Sequence, residues 1–516
     1  MPIKASMSTK LLNTGILVIL LIIIGKLIAF GKDIVISAYF GASTETDAYF
    51  IALNITTIIF IAFYSTVTIV FLPLYNENLE KKGVKKSLHF TSNAITLYVL
   101  ITIAITALSF VFSNDIITII SNTSMEGNSI RNTLTTKLLR IMVFSFSFSI
   151  IVSFTTSIQL SNKLYLTPHL VPIINNLVIV LSLIILGSTY GIFVPAIAGV
   201  LAWVLQVPLH FWFVRNIYRY KLSLNPKDPS IKKMGVLFFP AFLGVFVDQL
   251  NIMVDTILAS GLEDGSISAL NYSSRLISFA SGIFIMAIMS IAFPLFSKAI
   301  ENNDDKTLNT SIQSSLRLLL LLMVFISSIV FVFYQEIVSI VYLRGKFDQV
   351  AVDKTASVFF YYGLGLIFLA LRELFNKVFY AKKNTKIPLV ISIIAVSVNI
   401  ILSLLLVAKM GVNGLALASS ISLLLYVVMQ LYFLNKLIGS HFYNGIFLFL
   451  SKIVFAVLCS SLVMLLFKFN FHFDSTLFSF IFISIISLLV YYFLLSTLKI
   501  NETKILNRFI LSLVKA

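Results

Sequence analysis

The chain has 516 residues, of which 59% are hydrophobic and 11% charged. That is more apolar surface than a soluble core can hide, so a soluble fold is excluded and lipid is the solvent for much of the chain. The net charge of +17 sits in short clusters between apolar runs rather than on a soluble domain or basic arm, which argues against a nucleic-acid partner.

Apolar runs long enough to cross a hydrocarbon core of roughly 30 Å as helices recur along the whole chain. They fall near 11–40, 47–75, 88–113, 131–160, 166–187, 191–216, 232–260, 266–298, 307–334, 352–380, 387–408, 411–435, 445–468 and 475–498. The reading is an all-α integral membrane protein with about fourteen transmembrane helices, because alternating segments of about ten residues, the mark of a barrel, do not occur. The first run carries Lys26, Lys32 and Asp33 and lacks a small-residue cleavage site, so it reads as a retained helix. Cys459 is the one cysteine, which rules out an intramolecular disulfide.

Basic residues cluster in alternate loops: Lys81, Lys82, Lys85 and Lys86; Arg215, Arg219, Lys221, Lys227, Lys232 and Lys233; Lys377, Lys382, Lys383 and Lys386; and the tail with Lys499, Lys504, Arg508 and Lys515. The positive-inside rule makes those loops and both termini cytoplasmic. Intervening loops such as Gly261-Leu262-Glu263-Asp264-Gly265 are short and acidic or neutral, as the opposite side requires.

Sliding the sequence against itself until Gly191 falls on Gly411 lays Tyr190-Gly191 through Asn216 on Met410-Gly411 through Lys436 without a gap, with Pro168 on Pro388. With the register moved by one further position, Phe71-Leu72-Pro73-Leu74-Tyr75 meets Ala292-Phe293-Pro294-Leu295-Phe296. Transporter folds are commonly built from two related halves with the substrate path between them. The expected organisation is a six-helix lobe over 1–220, a second over 221–440, related by a pseudo-two-fold axis along the membrane normal, and two extra helices with a tail over 441–516.

Ionisable side chains near the bilayer centre cost a few kcal/mol each, so each needs a partner, a water-filled cavity or a task. Lys26, Lys32 and Asp33 lie on the first helix, Asp47 opens the second, Arg275 lies on the eighth, Asp248 and Asp255 on the seventh, and Arg372 and Glu373 on the tenth. Lys26, Lys32 and Arg275 come from the opening helices of opposite halves, which the repeat sets facing a central cleft. A cationic cavity follows, suited to an anion too polar to cross lipid alone; a pyrophosphate on a lipid carrier fits. Asp33 and Asp47 would tune or gate that cluster through ion pairs. No Gly-x-x-x-x-Gly-Lys-Ser/Thr loop, metal-spaced histidines or nucleophile-and-base arrangement is found, so the expectation is a transporter that is not an enzyme, driven by an ion gradient, the membrane potential or the substrate gradient.

The run Lys26-Leu-Ile-Ala-Phe-Gly-Lys32-Asp33-Ile-Val, followed by Phe40-Gly41-Ala42 and Thr46-Asp47-Ala48-Tyr49-Phe50, resembles the opening signature of the MurJ lipid II flippases of the MOP superfamily. Tyr272-Ser-Ser-Arg275-Leu with Ser281-Gly282, Pro294-Leu295-Phe296-Ser297-Lys298, Gly345-Lys346-Phe347, Phe379-Tyr380-Ala381 and Lys386-Ile387-Pro388 follow in the family's order. The resemblance implies two six-helix lobes plus two helices that shape a groove for a lipid tail. It also implies translocation of the undecaprenyl-pyrophosphate-linked peptidoglycan precursor from the cytoplasmic to the outer leaflet of the bacterial cytoplasmic membrane, by alternating access. Carried over residue by residue, Lys26, Lys32 and Arg275 bind the pyrophosphate and Asp47 biases the conformational switch. The partners implied are the lipid-linked glycan and membrane lipids, with a monomer sufficient.

The sequence departs from the family where an arginine pair on the second helix is replaced by Phe60 and Ile61, and a small acidic segment by Tyr64-Ser65-Thr66. Lysine at two cavity positions keeps charge but loses the bidentate fork of arginine. Some relatives hold sodium in the second lobe, and Asp248, Asn399, Ser403 and Ser419 would supply oxygen ligands here, with helix-packing polar groups as the alternative. A flippase for another polyprenyl-linked glycan, of the Wzx kind, is the competing function. A MATE-like drug exporter prefers acidic cavities, which Lys26, Lys32 and Arg275 oppose.

Overall fold

The computed structural model describes residues 2–121, 128–439, 445–471, 475–500 and 502, with side chains from 17 onward except those of 128, 129 and 248. Among the described residues, twelve helical segments are long and apolar enough to cross a membrane. A thirteenth is the pair α12 (Gln349–Leu364) and α13 (Leu366–Ala381), bent by 45° between them. Helix α1 (Pro2–Phe40) stands outside that count and occupies the first predicted run. The bend in α12–α13 has a local cause. Gly365 N–H turns to the Tyr362 carbonyl at 3.0 Å, and the Tyr361 carbonyl so released accepts from the Ser420 hydroxyl at 2.7 Å.

The remaining helices run in chain order. They are α2 (Thr44–Lys82), α3 (Val84–Val111), α4 (Ser113–Ile120), α5 (Asn128–Met142), α6 (Ser145–Ser161), α7 (Leu170–Tyr190), α8 (Phe193–Val214) and α9 (Pro229–Ser260). After these come α10 (Ser266–Glu301), α11 (Asp305–Tyr342), α14 (Lys386–Met410), α15 (Val412–Ile438), α16 (Ile446–Asn470) and α17 (Thr476–Thr497).

Local geometry repeats at the spacing read from the sequence. Positive φ occurs at Gly83 (79°) and Asn303 (52°), at Lys163 (60°) and Lys383 (56°), and at Gly191 (60°) and Gly411 (57°), each pair separated by the same interval as Pro168 and Pro388. At the second pair the bonding repeats too: Lys163 N–H reaches Leu160 and Leu164 N–H reaches Gln159, as Lys383 reaches Tyr380 and Asn384 reaches Phe379. Pro73 and Pro294 both sit inside long helices, α2 and α10.

The chain packs as two units, one of Met1–Ser268 with Arg344–Asp348, the other of Ala269–Leu343 with Gln349–Ala516. In the first, α2 is the central element, packed on α3, α5, α6 and α9. Its core is aromatic: Phe71 meets Phe90, Tyr75 and Phe154, while Phe63 meets Phe146, Phe238 and Phe242. Helix α9, which the sequence repeat assigns to the second lobe, belongs to this unit. It is held to α2 by those rings, by Asn54 Nδ2 to Thr256 Oγ1 at 3.0 Å, and by Lys233 Nζ to Glu77 Oε2 at 2.6 Å. In the second unit α11 is central and α16 and α17 pack on it. Lys468 Nζ on α16 pairs with Glu336 at 2.7 Å and donates to the Val332 carbonyl at 2.8 Å, beside the non-helical Phe333 that breaks α11.

Candidate functional site

The predicted cations lie on helices whose other faces anchor them. Helix α1 packs on α7 with Gly25 buried and Gly187 giving room to the Tyr39 ring, which leaves the intervening positions to present Lys26 and Lys32. Lys32 Nζ stands 3.2 Å from Asp33 Oδ1, and the two side chains are only 11% and 6% exposed. This ion pair gives each charge a partner in a segment where an unpaired one is costly. Lys26 is half-buried one and a half turns earlier on the same helix.

Arg275 lies on α10 in the second unit. Tyr272 and Ser273 are buried there, with the Ser273 hydroxyl donating to the Thr355 carbonyl at 2.8 Å and Tyr342 Oη to the Tyr272 carbonyl at 3.4 Å. Ser274 and Arg275 follow on the exposed face of α10. The Tyr-Ser-Ser-Arg sequence thus combines two anchors with the residue they orient. Arg372 lies within the second unit, its guanidinium 4.7 Å from the Tyr426 ring centre.

Asp47 is fully buried near the start of α2 and serves as the cap of another helix. Its carboxylate accepts from Gly265 N–H at 2.7 Å, Ser268 N–H at 2.7 Å and the Ser268 hydroxyl at 2.6 Å. Those amides open α10, whose first turn has no helical acceptor of its own and carries the positive end of the helix dipole. Arg131 on α5, 1% exposed, adds an electrostatic contribution at Asp47, donates to the Ser260 carbonyl and stands 3.8 Å from Asp264. Thr44 Oγ1 donates to the other oxygen of Asp264 at 2.5 Å.

Three glycines close this arrangement. Gly265 (φ +83°) presses against the Ala42 carbonyl, Gly41 (φ +68°) against the Lys346 carbonyl, and Gly345 (φ +60°) against the Ala38 carbonyl, each nearer than a β-carbon allows. Lys346 N–H donates to the Ala38 carbonyl at 2.9 Å and Phe347 is 1% exposed. The Phe-Gly-Ala, Thr-Asp-Ala and Gly-Lys-Phe signatures, read from sequence as separate markers, therefore form one clasp in the first unit. Arg131 was not singled out from the sequence, although an arginine at the start of an apolar run was the available signal.

At Phe60 and Ile61 the departure from the family has a clear packing consequence. Phe60 stacks on Phe146 with centroids 4.8 Å apart and planes within 6°, joining the ladder through Phe63, Phe238, Phe242 and Phe246. Tyr64 Oη pairs with Thr156 Oγ1 at 3.4 Å, and its carbonyl accepts from Ser153. At the two positions where the family carries arginines, this stretch of α2 presents a part-buried aromatic ring and an exposed aliphatic side chain.

Of the oxygen ligands suggested for sodium, Asn399 on α14 and Ser419 on α15 come together, Nδ2 to Oγ at 3.3 Å. Asn399 is 1% exposed, with its Oδ1 buried and unpartnered among the described residues, and Ser403 lies one turn on, fully buried. An orphaned amide oxygen, on a side chain whose nitrogen meets the Ser419 hydroxyl, is a ligand type that suits a hard cation. The Asp248 side chain lies outside the described residues. Among the described residues no three His, Cys, Asp or Glu side chains gather as a metal site.

A family model described as "Lipid II flippase MurJ" matches residues 36–488. A probable lipid II flippase MurJ of Buchnera aphidicola subsp. Schizaphis graminum is 30% identical over 433 residues, covering 80% of this chain and 80% of its own length. A solved lipid II flippase MurJ in an inward closed conformation matches with a TM-score of 0.79 at 28% identity, covering 93% of this chain and 98% of that one. An inward-facing MATE transporter of the MOP superfamily gives 0.70 at 12% identity, covering 81% and 95%, a likeness of fold alone. With its markers in order and its family match spanning nearly every helix, the chain is a multi-pass membrane protein of the lipid II flippase MurJ family.

Proposed function

We propose that this chain translocates lipid II, the polyprenyl-pyrophosphate-linked peptidoglycan precursor, from the cytoplasmic to the outer leaflet of the bacterial cytoplasmic membrane by alternating access. The observation that carries the reading is the family match over 36–488. The buried Lys32–Asp33 pair and the exposed position of Arg275 support it, since both place charge within membrane helices. Lys26, Lys32 and Arg275 bind the pyrophosphate; Asp33 moderates Lys32; Asp47 biases the switch through its cap on α10, the helix that begins in the first unit and continues through the second.

The chain performs no covalent chemistry and acts as a monomer, with both termini cytoplasmic, a reading that the alternating basic loops support. Energy comes from the membrane potential or from sodium held by Asn399, Ser403 and Ser419, with Asp248 as the carboxylate. Complementation of a bacterium depleted of its own lipid II flippase tests this. Wild type is expected to restore growth, whereas Lys26→Ala, Lys32→Ala and Arg275→Ala at matched expression are expected to fail. Failure of a well-inserted wild type would overturn the assignment.

A further inference from the structure

The first unit contains a basin of about 1190 Å³ at the end of the bundle where α2 turns into α3 and where residues 215–228 connect α8 to α9. Pockets for sizeable ligands run to roughly 300–1,000 Å³, so this one has room for a headgroup. Lys82, Lys85, Lys86, Arg215, Arg219 and Lys221 line it, together with His89. The one lining carboxylate, Asp228, already accepts from Ser230 N–H at 2.7 Å as the N-cap of α9. Lys82 Nζ donates to Ser230 Oγ at 2.7 Å, and Glu77 outside the basin is taken by Lys81 and Lys233. Lys85, Lys86, Arg219 and Lys221 have no carboxylate partner among the described residues.

Lysines that serve only to orient a membrane protein can sit on solvated, loosely held loops. Here the wall is fixed. The connection has no helix of its own, yet it is pinned along α3 at three points. Tyr218, 2% exposed, meets Ser92 Oγ through its hydroxyl at 3.0 Å, and Tyr220 meets Thr96 at 2.8 Å. Asn93 donates to the Asn225 carbonyl at 2.8 Å and accepts its N–H at 2.7 Å. On the other side α2 reverses into α3 through the single residue Gly83, at φ 79°. Like charges are thus held around a preformed concavity in which Asp228 is the single lining carboxylate, an arrangement that lowers the cost of binding an anion.

The flanks indicate where the anion comes from. Leu222, Leu224 and Val84 are 82%, 56% and 61% exposed beside the basic residues, and Trp212 stacks under the Arg215 guanidinium at 4.7 Å. Exposed aliphatic side chains next to lysines, with an aromatic at the helix end, mark the membrane–water interface. We propose that this basin binds the phosphate headgroup of an anionic lipid of the adjoining leaflet, the cytoplasmic one in the orientation given above. Arg219 supplies the planar fork for the phosphate oxygens, Lys85 and Lys86 act as point charges, and Leu222 and Leu224 seat the first acyl carbons. This inference depends on the orientation but not on the transported substrate.

Native mass spectrometry of the full chain in detergent, titrated with phosphatidylglycerol and with phosphatidylcholine, tests it. Lys85→Gln/Lys86→Gln/Arg219→Gln is expected to weaken phosphatidylglycerol on the order of a hundredfold and leave phosphatidylcholine unchanged. The charge-matched control Lys298→Gln/Lys306→Gln/Lys409→Gln is expected to retain wild-type binding. Leu222→Ser/Leu224→Ser, which keeps every charge and alters only exposed side chains, is expected to weaken phosphatidylglycerol several-fold. Equal losses in both charge triples, or none in the basin triple, would overturn the site. Inorganic phosphate binding as tightly as phosphatidylglycerol would overturn the lipid assignment.

Discussion

Replacing Asp47 by alanine removes the acceptor of three hydrogen bonds at once, from Gly265 N–H, Ser268 N–H and Ser268 Oγ, at a fully buried position. It leaves the opening amides of α10 without that acceptor, at the positive end of the helix dipole. Hydrogen bonds to a charged group contribute about 1.5–3 kcal/mol each, but they share one carboxylate, so the total is about 3–5 kcal/mol rather than their sum. Asp47→Asn keeps one oxygen acceptor and loses the charge, for about 1–2 kcal/mol. Ser268→Ala removes only the hydroxyl bond, for about 1 kcal/mol. The assay is thermal unfolding of the purified chain in one detergent, arranged as a double-mutant cycle. The expected order is wild type, then Ser268→Ala and Asp47→Asn, then Asp47→Ala, with Ser268→Ala costing nothing further once Asp47 is alanine. Additive losses, or an Asp47→Ala protein as stable as wild type, would refute the cap.

Gly345→Ala forces a β-carbon onto the Ala38 carbonyl at φ +60°, so expression and thermal stability should collapse, whereas Gly31→Ala, with no neighbouring atom within 4 Å, should be close to neutral by the same assays. Phe60→Arg places a charge in the stack on Phe146 and should cost about 3 kcal/mol or more in detergent unfolding; a stable variant would show that this face has room for a cation. Sodium, compared with potassium at equal ionic strength, should raise the unfolding temperature of wild type but not of Asn399→Ala. The same shift in both would remove Asn399 from any sodium site.

Much of the fold was legible because lipid imposes a simple rule: each span must be a long apolar helix, so runs such as 387–408 and 411–435 announce α14 and α15 directly. The repeat was legible for a related reason, since positive-φ turns at Gly191 and Gly411 leave glycine at matching positions. The membership of α9 was less legible, because the sequence repeat records which helices correspond, while packing is decided by rings such as Phe238 and Phe242 that meet Phe63 of α2 from far along the chain. At the site, the charged residues stood out by their rarity in apolar runs, but their tasks did not. Asp47 reads from sequence as an ion-pairing acid, whereas its hydrogen-bond donors are the Gly265 and Ser268 amides and the Ser268 hydroxyl, brought to it by the α9–α10 turn. Lys85, Lys86 and Arg219 signalled orientation only; the basin they line exists because Tyr218, Tyr220 and Asn225 pin a connection that has no periodicity to read.

The central claim is that fixed cations on α1 and α10 carry a pyrophosphate-linked lipid across the bilayer. The most direct measurement reconstitutes the purified chain in vesicles loaded with lipid II in one leaflet and follows its appearance in the other with a membrane-impermeant probe of the headgroup. Wild type should equilibrate the two leaflets, while Lys32→Ala and Arg275→Ala, inserted to the same extent, should leave lipid II where it was placed. Equal translocation by wild type and both variants would contradict the cationic mechanism, and no translocation by an intact wild type under a membrane potential or a sodium gradient would contradict the transport function itself.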